Sequence, residues 1–306
     1  MVRSPVHYAS RVSSIVVLGS ANMDLVVRQP RLPEPGETIF GSAYSAVPGG
    51  KGLNQAVAAA RAGGSVAFLG AVGPDAFGAQ LRATLVADGV DVSRLTEASA
   101  ETGTAHIAVV DGGENSIVVV PGANAAISSL SADDVAPIAA AGYLLAQFER
   151  PLGLVAEGLR VAREHGVTTV LTPAPVQELP TGLLELVDIL VPNALEARQL
   201  SGLDDEVAAA VALSAGRTVV MTRGSDGVLV ARDGAIVHDL PARRVEAVDT
   251  TGAGDTFTGV LVARLSLGDD LATALAAASV GASISVTRAG ATSSMPAWAE
   301  IAAALT

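Results

Sequence analysis

Short apolar runs rich in β-branched residues alternate along this chain with helical stretches, and this alternation limits the fold more than any other feature. In one such stretch, Leu152, Val155, Leu159 and Ala162 recur on one face of a helix. Repeated strand and helix units predict a mostly parallel sheet that is covered by helices on both faces. The runs expected to form buried strands are residues 14–19, 65–70, 143–148, 167–171, 189–191 and 218–222.

Two segments do not follow this rhythm. Residues 23–48 carry alternating apolar positions, and residues 104–120 predict a β-hairpin with its turn at residues 111–115. Neither segment is flanked by helices that would join it to the main sheet. We expect the two to form one small β lid, made of about residues 23–48 and 102–122, which projects over the edge of the sheet.

The composition is that of one large globular unit. The 306 residues are 50% apolar, which is enough to bury a large core. The sequence contains no internal repeat, low-complexity tract or linker that would separate a second domain. It therefore predicts a single α/β domain over residues 12–306, preceded by a flexible lead at residues 1–11.

Charge and cysteine content exclude several classes of function. A net charge of -12 and an aromatic content of 3% do not suit binding to phosphate backbones or stacked bases, so no nucleic-acid partner is expected. The absence of cysteine excludes disulfides, thiolate nucleophiles and cysteine-bound zinc. The start of the chain lacks the apolar run of a signal peptide, and the long uncharged stretch at residues 271–287 is interrupted by Ser, Thr and Gly. We expect a cytoplasmic protein without a membrane span.

The motif "GSANMD" follows the first predicted strand. Ligands of doubly wound sheets bind beyond the carboxyl ends of the strands, which is where Asn22 and Asp24 fall. An amide and a carboxylate together suit the vicinal hydroxyls of a polyol. A turn stabilised by Asn and Asp is the alternative interpretation.

The stretch "PGGKGLNQAVAAARAGG" is a glycine-rich loop that opens a helix. A nucleotide P-loop would need Gly at position 45 and Ser or Thr at position 52, but the chain has Ser45 and Gly52. Glycines such as Gly50 would instead let the backbone approach a small ligand, with Lys51 and Asn54 as donors. A flexible loop without a ligand is the alternative.

Two further motifs follow predicted strands and leave their function open. In "PNALEA", Asn193 and Glu196 are one helical turn apart, so they could hold a metal-bound phosphate through water, or they could form part of a helix capping box. The motif "TRGSDG" at residues 222–227 predicts either a tight hairpin or a loop that contacts nucleotide phosphates.

The stretch "DTTGAGDTFTG" places Asp255 directly behind Gly252-Ala253-Gly254. The backbone N–H groups at the start of the following helix are donors for an anion. A carboxylate repels a resting phosphate, so Asp255 fits better as a base that takes a proton from a hydroxyl attacking a phosphoryl group.

Competing interpretations of this stretch are weaker. A dinucleotide fingerprint requires GxGxxG, whereas Gly252, Gly254 and Gly259 give GxGxxxxG. A hydrolase would show GxSxG or HExxH, and neither pattern occurs. Asp255 as a simple helix N-cap is the structural alternative. Phosphoryl transfer remains the interpretation that uses both the carboxylate and the glycines.

Together, "GGKGLNQAVAAARAGG" and "DTTGAGDTFTG" resemble the two signature segments of the PfkB, or ribokinase-like, family of carbohydrate kinases. Shorter segments agree with this family at matching spacing, so the resemblance runs from about residue 14 to residue 300. These segments are "GSANMD", "PGETIFG", "PGANAAIS", "TPAP", "VPNALEA", "TRGSDG" and "VTRAGATSSMP".

The resemblance implies a three-layer α/β/α sandwich with a mostly parallel central sheet and a small β-sheet lid that usually forms a homodimer contact. It implies phosphoryl transfer from ATP, with Mg²⁺ and a monovalent cation such as K⁺, to the 5-hydroxyl of D-ribose. Alternatives are a related kinase for deoxyribose, fructose or adenosine, and a non-catalytic sugar-binding regulator. An intact Asp255 argues against the regulator, and the few aromatic residues of the lid argue against a nucleoside.

The resemblance also assigns roles by position. Asp255 is the expected base, and the amides of Gly252, Ala253 and Gly254 are the expected anion hole. Glu196 is expected to support Mg²⁺ through water and phosphate. The expected sugar ligands are Asn22, Asp24, Gly50, Lys51, Asn54, Glu149 and Asp255. The expected ATP contacts are Asn193, Thr222, Gly224, Ser225, Gly227, Gly254 and Ser279. The K⁺ site is expected at Asp249, Thr251, Ser285, Arg288, Gly290 and Ser294.

Two positions depart from the family pattern. Ser279 stands where a histidine often contacts adenine, and Phe148 precedes Glu149 where leucine is commoner. Both departures concern the fit of the nucleotide and the selectivity for the sugar rather than the reaction class.

Overall fold

The structure is a computed structural model that describes residues 13–112 and 114–305. The flexible lead expected at residues 1–11 lies outside the described residues. The division into one domain over residues 12–306 stays a prediction. The strands are β1 (Ile15–Leu18), β2 (Asn22–Gln29), β3 (Ala43–Gly49), β4 (Val66–Val72), β5 (Leu95–Glu97), β6 (Gly103–Val110), β7 (Asn115–Val120), β8 (Tyr143–Gln147), β9 (Thr168–Thr172), β10 (Ile189–Leu190), β11 (Thr218–Thr222), β12 (Val228–Arg232) and β13 (Ala235–Leu240).

The helices are α1 (Lys51–Arg61), α2 (Ala76–Ala87), α3 (Ala123–Ala126), α4 (Ala132–Ala140), α5 (Leu152–Glu164), α6 (Ala194–Ser201), α7 (Glu206–Leu213), α8 (Ala253–Ser266), α9 (Leu271–Ser285) and α10 (Trp298–Leu305). Short 3-10 turns lie at Leu183–Leu186 and Gly224–Asp226. In the part of the chain that the structure describes, no helix is both long and apolar enough to cross a membrane.

Nine strands form the main sheet in the order β13-β12-β11-β10-β9-β8-β1-β4-β5. The seven strands from β11 to β5 in this order run parallel, and β12 and β13 extend the β11 edge as antiparallel strands. All six apolar runs of the sequence lie in the parallel part. The predicted mostly parallel sheet is therefore confirmed, and "TRGSDG" is the turn of the hairpin between β11 and β12.

Side chains of the main sheet alternate between two hydrophobic clusters because successive residues of a strand face opposite sides. Val17 of β1 packs in a cluster with Leu53 of α1 and Phe257 of α8, whereas Leu18 packs with Leu159 of α5. Helices thus cover both faces of the sheet. The expected three-layer sandwich is confirmed.

Four strands form a second, smaller sheet in the order β3-β2-β6-β7, which we call the lid sheet. β2 pairs with β3 and β6 with β7 in antiparallel fashion, while the central pair of β2 and β6 is parallel. At the base of the lid sheet, Asn22 lies opposite both Gly49 and Gly103. Since Gly49 ends β3 just before α1, the lid sheet is anchored beside the start of that helix. The predicted hairpin and the separate small sheet are both confirmed.

Candidate active site

Polar side chains from several elements meet at the carboxyl end of the main sheet. The chain leaves β1 into Asn22 and Asp24 of β2, and it leaves β8 into Glu149. Helices α1 and α8 begin at the same edge and carry Lys51 and Asp255 in their first turns. This is the edge at which α/β sheets bind ligands.

The glycines at the start of α1 are required by contacts within the protein. A Cβ atom on Gly52 would lie 2.4 Å from the amide nitrogen of Ser20, and one on Gly50 would lie 2.8 Å from the amide nitrogen of Asn22. Gly50 also has a φ of +89°, which other residues rarely adopt. These glycines let α1 start directly against the turn that follows β1. The expected contact of this loop with a ligand stays a prediction.

Asn22 is held in place by Asn124, a residue that the sequence did not single out. The Nδ2 group of Asn124 donates to Asn22 Oδ1 at 2.8 Å and to the carbonyl oxygen of Ala21 at 3.0 Å. Its Oδ1 accepts from the Ala21 N–H at 3.0 Å. These bonds fix the acceptor end of the Asn22 amide at the base of the lid sheet.

Glu149 takes the place of a capping side chain at the start of α1, since the N-cap residue is Gly50. One oxygen of Glu149, Oε2, accepts from the Ser20 hydroxyl at 2.5 Å and from the Lys51 N–H at 3.0 Å. A carboxylate is favourable at the positive end of a helix. Glu149 therefore ties the end of β8 to the start of α1.

Three carboxylates and one ammonium group share this space. Burial, followed by the negative charges of Glu149 and Asp255, raises the pKa of Asp24 to about 7, against the opposing effect of Lys51. The charge of Asp255, followed by those of other nearby carboxylates, raises the pKa of Lys51 above its usual range although burial opposes this. Lys51 is thus the counter-charge of an acidic cluster.

Asp255 is 8% exposed and lies at the third position of α8, so it is not the N-cap, which is Gly252. Its Oδ2 accepts from Asn54 Nδ2 at 3.0 Å, and its Oδ1 accepts from Gln55 Nε2 at 2.8 Å. Successive amides of α1 therefore hold both oxygens of the carboxylate. This geometry suits a base whose direction of attack must be fixed.

The start of α8 differs in one respect from the expected anion hole. Gly252 has a left-handed φ of 72°. The Ala253 N–H already donates to the carbonyl oxygen of Thr250 at 3.2 Å. Its expected part in the anion hole stays a prediction. A Cβ atom on Gly254 would meet nothing within 4 Å. Gly254 is exposed, and open space lies on the side where a side chain would project.

Gly259, the last glycine of this stretch, has a packing role. A Cβ atom there would lie 2.6 Å both from Ala58 Cβ and from the carbonyl oxygen of Gln55. Helices α1 and α8 cross closely at this point. Because Gly259 is one turn beyond Asp255 on α8, this close crossing brings Asp255 within reach of the amides on α1.

The expected nucleotide residues lie on neighbouring elements. Asn193 and Glu196 form a complete capping box at the start of α6, so the structural alternative for this motif is confirmed. Burial raises the pKa of Glu196 above its usual range, against the hydrogen bond from the Asn193 N–H. Asn193 and Thr222 also form a bridge between the ends of β10 and β11.

A cleft of about 320 Å³ lies at this position. The expected ATP contacts Asn193, Thr222 and Gly224 line it, together with Arg198, Glu206 and Arg223. Ser225 and Gly227 belong to the same turn as Gly224. Ser279 does not line this cleft and lies half-buried on α9, which packs against α8.

Asp249 joins the two loops at which a monovalent cation is expected. Its carboxylate accepts from the N–H of Thr251 at 2.9 Å and from the N–H of Gly290 at 2.8 Å. Burial opposes the effect, but these bonds hold the pKa of Asp249 below its usual range. The Arg288 side chain forms an ion pair with Glu300, so Arg288 can face a cation only through its backbone.

The two serines expected at this site are already engaged. The Ser285 hydroxyl donates to the carbonyl oxygen of Ala282 at 2.9 Å, and that of Ser294 donates to the carbonyl oxygen of Ala291 at 2.8 Å. Both serines are buried. Their hydroxyl oxygens keep lone pairs that can face a cation.

Sequence reasoning missed Ser20, Gln55, Asn124 and Gln147. Gln55 lies beside Asn54 in a motif that was recognised, and this adjacency was the only signal for it. Ser20 and Asn124 lie within the motifs "GSANMD" and "PGANAAIS", which were the only signal for them. All three remaining residues act through hydrogen bonds to residues 92 or more positions away, so their partners are not visible in a local pattern.

Comparisons with known proteins agree with this site. Residues 12–298 match the family described as pfkB family carbohydrate kinase. The ribokinase of Haemophilus influenzae is 41% identical over 292 residues, which are 92% of this chain and 95% of the relative. The deoxyribokinase of Salmonella typhi is 33% identical over 292 residues, with the same coverage of 92% and 95%.

A solved structure shows the same fold. The Arabidopsis thaliana ribokinase complexed with ribose and ATP has a TM-score of 0.90 and 31% identity to this chain, and the match covers 96% of this chain and 99% of the other. The family match extends over nearly the whole sequence and includes both signature segments. This chain therefore belongs to the pfkB family of carbohydrate kinases.

Proposed function

We propose that this protein transfers the γ-phosphoryl group of ATP to the 5-hydroxyl of D-ribose. The observation that carries the proposal is the Asp255 carboxylate at the start of α8, held on both oxygens by α1 and placed beside the open backbone of Gly254. A base and a phosphoryl cradle stand next to each other there. This is the arrangement that phosphoryl transfer to an alcohol requires.

The polar cluster beside Asp255 favours a small polyol as the acceptor. Asn22, Asp24, Lys51, Asn54 and Glu149 offer both donors and acceptors, which vicinal hydroxyls can bind in pairs. The identity to ribokinases and the likeness to a ribokinase complexed with ribose and ATP support ribose. The identity to a deoxyribokinase makes 2-deoxyribose the second candidate.

The chemistry assigned to the chain is simple. Asp255 accepts the proton of the sugar 5-hydroxyl. The 5-oxygen of the sugar forms a bond to the γ-phosphorus of ATP, and the bond from that phosphorus to the leaving oxygen of ADP breaks. The N–H groups of Gly252 and Gly254 stabilise the negative charge on the transferring group. Lys51 balances the acidic cluster that orients the sugar.

The residues at the start of α6 fit a divalent cation that arrives with the nucleotide. In the described residues, no three His, Cys, Asp or Glu side chains stand together as a metal site. Mg²⁺ commonly binds through one carboxylate, water and substrate phosphates. Glu196 can serve in this way, since each carboxylate oxygen accepts more than one hydrogen bond. Bound Mg²⁺ supplies positive charge to the phosphates of ATP.

The loops joined by Asp249 fit a monovalent cation. They present a carboxylate, two serine hydroxyls and the backbone carbonyls of a non-helical segment, and such oxygen ligands suit K⁺. Asp249, Thr251, Ser285, Arg288, Gly290 and Ser294 would hold it. The cation would order the loop that carries Gly252 and Gly254.

The lid sheet suits a homodimer contact. Ile117, Val118 and Val119 of its edge strand β7 are exposed, as are Tyr44 and Phe40 near β3. An exposed apolar edge of this kind is a ready surface for a second copy. Light scattering should show a dimer that Val118→Asp converts to a monomer, and a monomeric wild type would contradict this part of the proposal. A cytoplasmic location stays a prediction.

An ADP-release assay tests the proposed reaction. Purified protein with ATP, Mg²⁺ and K⁺ is offered D-ribose, 2-deoxy-D-ribose, D-fructose or adenosine. We expect the highest kcat/KM with ribose, and Asp255→Asn should lower kcat by about 10² to 10⁴ because it removes the general base. Asp204→Asn, an exposed aspartate, is the matched control. A preference for another acceptor would overturn ribose, and a fully active Asp255→Asn variant would overturn the base.

A further inference from the structure

Two fully buried glutamines stand behind the Asp255 carboxylate. Gln55 on α1 and Gln147 at the end of β8 are each 0% exposed. Gln55 Nε2 donates to Asp255 Oδ1 at 2.8 Å, and Gln147 Nε2 donates to Gln55 Oε1 at 2.7 Å. Burying an amide costs free energy unless its polar atoms are bonded. Apolar side chains would fill this space at lower cost, so the two amides require an explanation beyond packing.

We propose that Gln55, which accepts a hydrogen bond from Gln147, is a positioning residue that fixes the Asp255 carboxylate in the direction from which it takes the proton of the sugar. The inference rests on the proposed function, in which Asp255 is the base. Neither glutamine needs to touch the sugar or ATP to have this effect.

The direction of the amide chain follows from the chemistry of its ends. An ionised carboxylate only accepts hydrogen bonds, so Gln55 must turn its NH₂ group toward Asp255. Its oxygen then faces Gln147, which supplies a donor. If the Gln55 amide were flipped, its oxygen would lie against an Asp255 oxygen and its NH₂ group against that of Gln147. The Asp255 carboxylate therefore selects the orientation of the Gln55 amide, and the donor of Gln147 supports it. Gln147 Oε1 is itself buried without a hydrogen-bond partner among the described residues.

Asn54 and Gln55 have different parts in this arrangement. Asn54 Nδ2 donates to the other Asp255 oxygen at 3.0 Å, but Asn54 Oδ1 is buried without a hydrogen-bond partner in the part of the chain that the structure describes. One end of the Asn54 amide is thus left for a ligand. Gln55 has both ends bonded within the protein. It can therefore hold Asp255 whether or not the sugar is bound.

The spacing of the two helices keeps the Gln55 contact short. Gly259 allows α8 to approach the Gln55 backbone so closely that a Cβ atom would lie 2.6 Å from its carbonyl oxygen. A further contact from Gln55 Nε2 to Thr172 Oγ1 is longer, at 3.4 Å. The bond to Asp255 is therefore the main interaction of this NH₂ group.

Substitutions separate this positioning role from a general effect on stability. Gln55→Met keeps the size of the side chain and removes its donor, and it should lower kcat by about 10- to 100-fold through misplacement of the base. The KM for the sugar should change by less than about threefold, because the sugar ligands remain. Gln147→Met should also lower kcat, by a smaller factor than Gln55→Met does, although Gln147 does not contact Asp255.

The matched control is Ser214→Ala. Ser214 is fully buried near the end of α7 and accepts from the Gly234 N–H at 2.9 Å. Its loss should lower stability by about 1 to 3 kcal/mol, as for other buried hydrogen bonds, and leave kcat unchanged. A Gln55→Met variant whose kcat matches that of the control would overturn the proposal.

A double-mutant cycle gives the decisive kinetic result. If Gln55 acts only through Asp255, Gln55→Met should cause no further loss of kcat in the Asp255→Asn background. An equal loss in both backgrounds would overturn the positioning role. Crystal structures give a readout that does not depend on activity. The Asp255 carboxylate should rotate in Gln55→Met, and an unchanged orientation would contradict the proposal. This result is informative even if the wild-type protein phosphorylates none of the sugars, so the positioning role and the proposed function can fail separately.

Discussion

Helices α1 and α8 begin in the same way and at the same edge of the sheet, yet they are equipped for different partners. Each follows a glycine with positive φ, Gly50 at 89° and Gly252 at 72°, and neither glycine offers a capping side chain. The first turn of α1 carries Lys51, whereas that of α8 carries Asp255. A helix dipole favours the second choice and disfavours the first.

The difference shows how one kind of helix start can serve the protein or a ligand. At α1 the Lys51 N–H donates to Glu149, and the space beside Gly50 and Gly52 is filled by the backbone of the turn between β1 and β2. At α8 the backbone of Gly254 faces open space. The positive end of α1 is thus satisfied within the fold, while that of α8 has open space beside it, where we propose that the phosphoryl group binds. Four experiments test this contrast, in order of decreasing expected effect.

The largest effect is expected from a methyl group at the start of α8. Gly254→Ala should lower kcat/KM for ATP by about 100-fold, since the Cβ atom would occupy the space proposed for the γ-phosphoryl. Its thermal stability should stay equal or rise, because Gly254 is helical with nothing within 4 Å and Ala is the better helix former. Melting curves and initial rates check both.

The matched variant at α1 is Gly52→Ala. Its Cβ atom would lie 2.4 Å from the Ser20 nitrogen, so this variant should melt at a lower temperature. If Gly254→Ala binds and uses ATP normally, the start of α8 is not the phosphate site.

The next effect concerns the charge at the start of α1. Lys51 is the only lysine of the chain and the counter-charge of the acidic cluster. Lys51→Met should raise the KM for ribose by about 10- to 100-fold, which is the value of a charged hydrogen bond. The KM for ATP should change less. Lys51→Arg, which keeps the charge, should recover part of the affinity, and equal losses in both variants would argue against a charge effect.

A smaller, pH-dependent effect is expected from Asp24, whose pKa is raised to about 7. The ionised carboxylate accepts more hydroxyl groups, so the KM for ribose should rise severalfold as the pH falls through 7. The free energy of unfolding of the unliganded protein should depend on pH in the opposite direction. The folded state binds the Asp24 proton between about pH 4 and 7 and the unfolded state does not, so this contribution to stability falls as the pH rises through that window.

Asp24→Asn should abolish both trends. Ribose KM and unfolding midpoints, measured from pH 5 to 8 on wild type and variant, check the prediction. Parallel pH profiles for the two proteins would show that another group titrates.

The smallest effect is expected from the monovalent cation, because it would act on α8 only through its loop. Replacing K⁺ by Na⁺ should lower kcat severalfold. The KM for ribose should stay unchanged, because the proposed ribose ligands lie at the start of α1. Asp249→Asn should reduce the difference between the two cations. A rate that is the same in K⁺ and Na⁺ would remove the cation site from the proposal.

The strands, the glycine-rich motifs and the position of Asp255 could be predicted from the sequence. Strand and helix periodicities depend on residues two to four positions apart, so they are visible in the sequence itself. The six apolar runs and the hairpin of the lid sheet were predicted for this reason. The hairpin from β11 into β12 was one of two interpretations of "TRGSDG", whereas β13 was not foreseen.

The sequence by itself determined the layered sheet and the two glycine-rich helix starts, and it singled out Asp255 as the proposed base. Only the tertiary structure decided that Gly52 fits against backbone while Gly254 faces open space, since a Cβ atom is excluded or allowed by distant neighbours. The tertiary structure also decided which amides hold Asp255, because Gln55 is 200 positions away from Asp255 in the sequence. Gln147, which donates to Gln55, is 92 positions away from Gln55. Buried polar groups must find partners wherever packing brings them, and no local pattern specifies that choice.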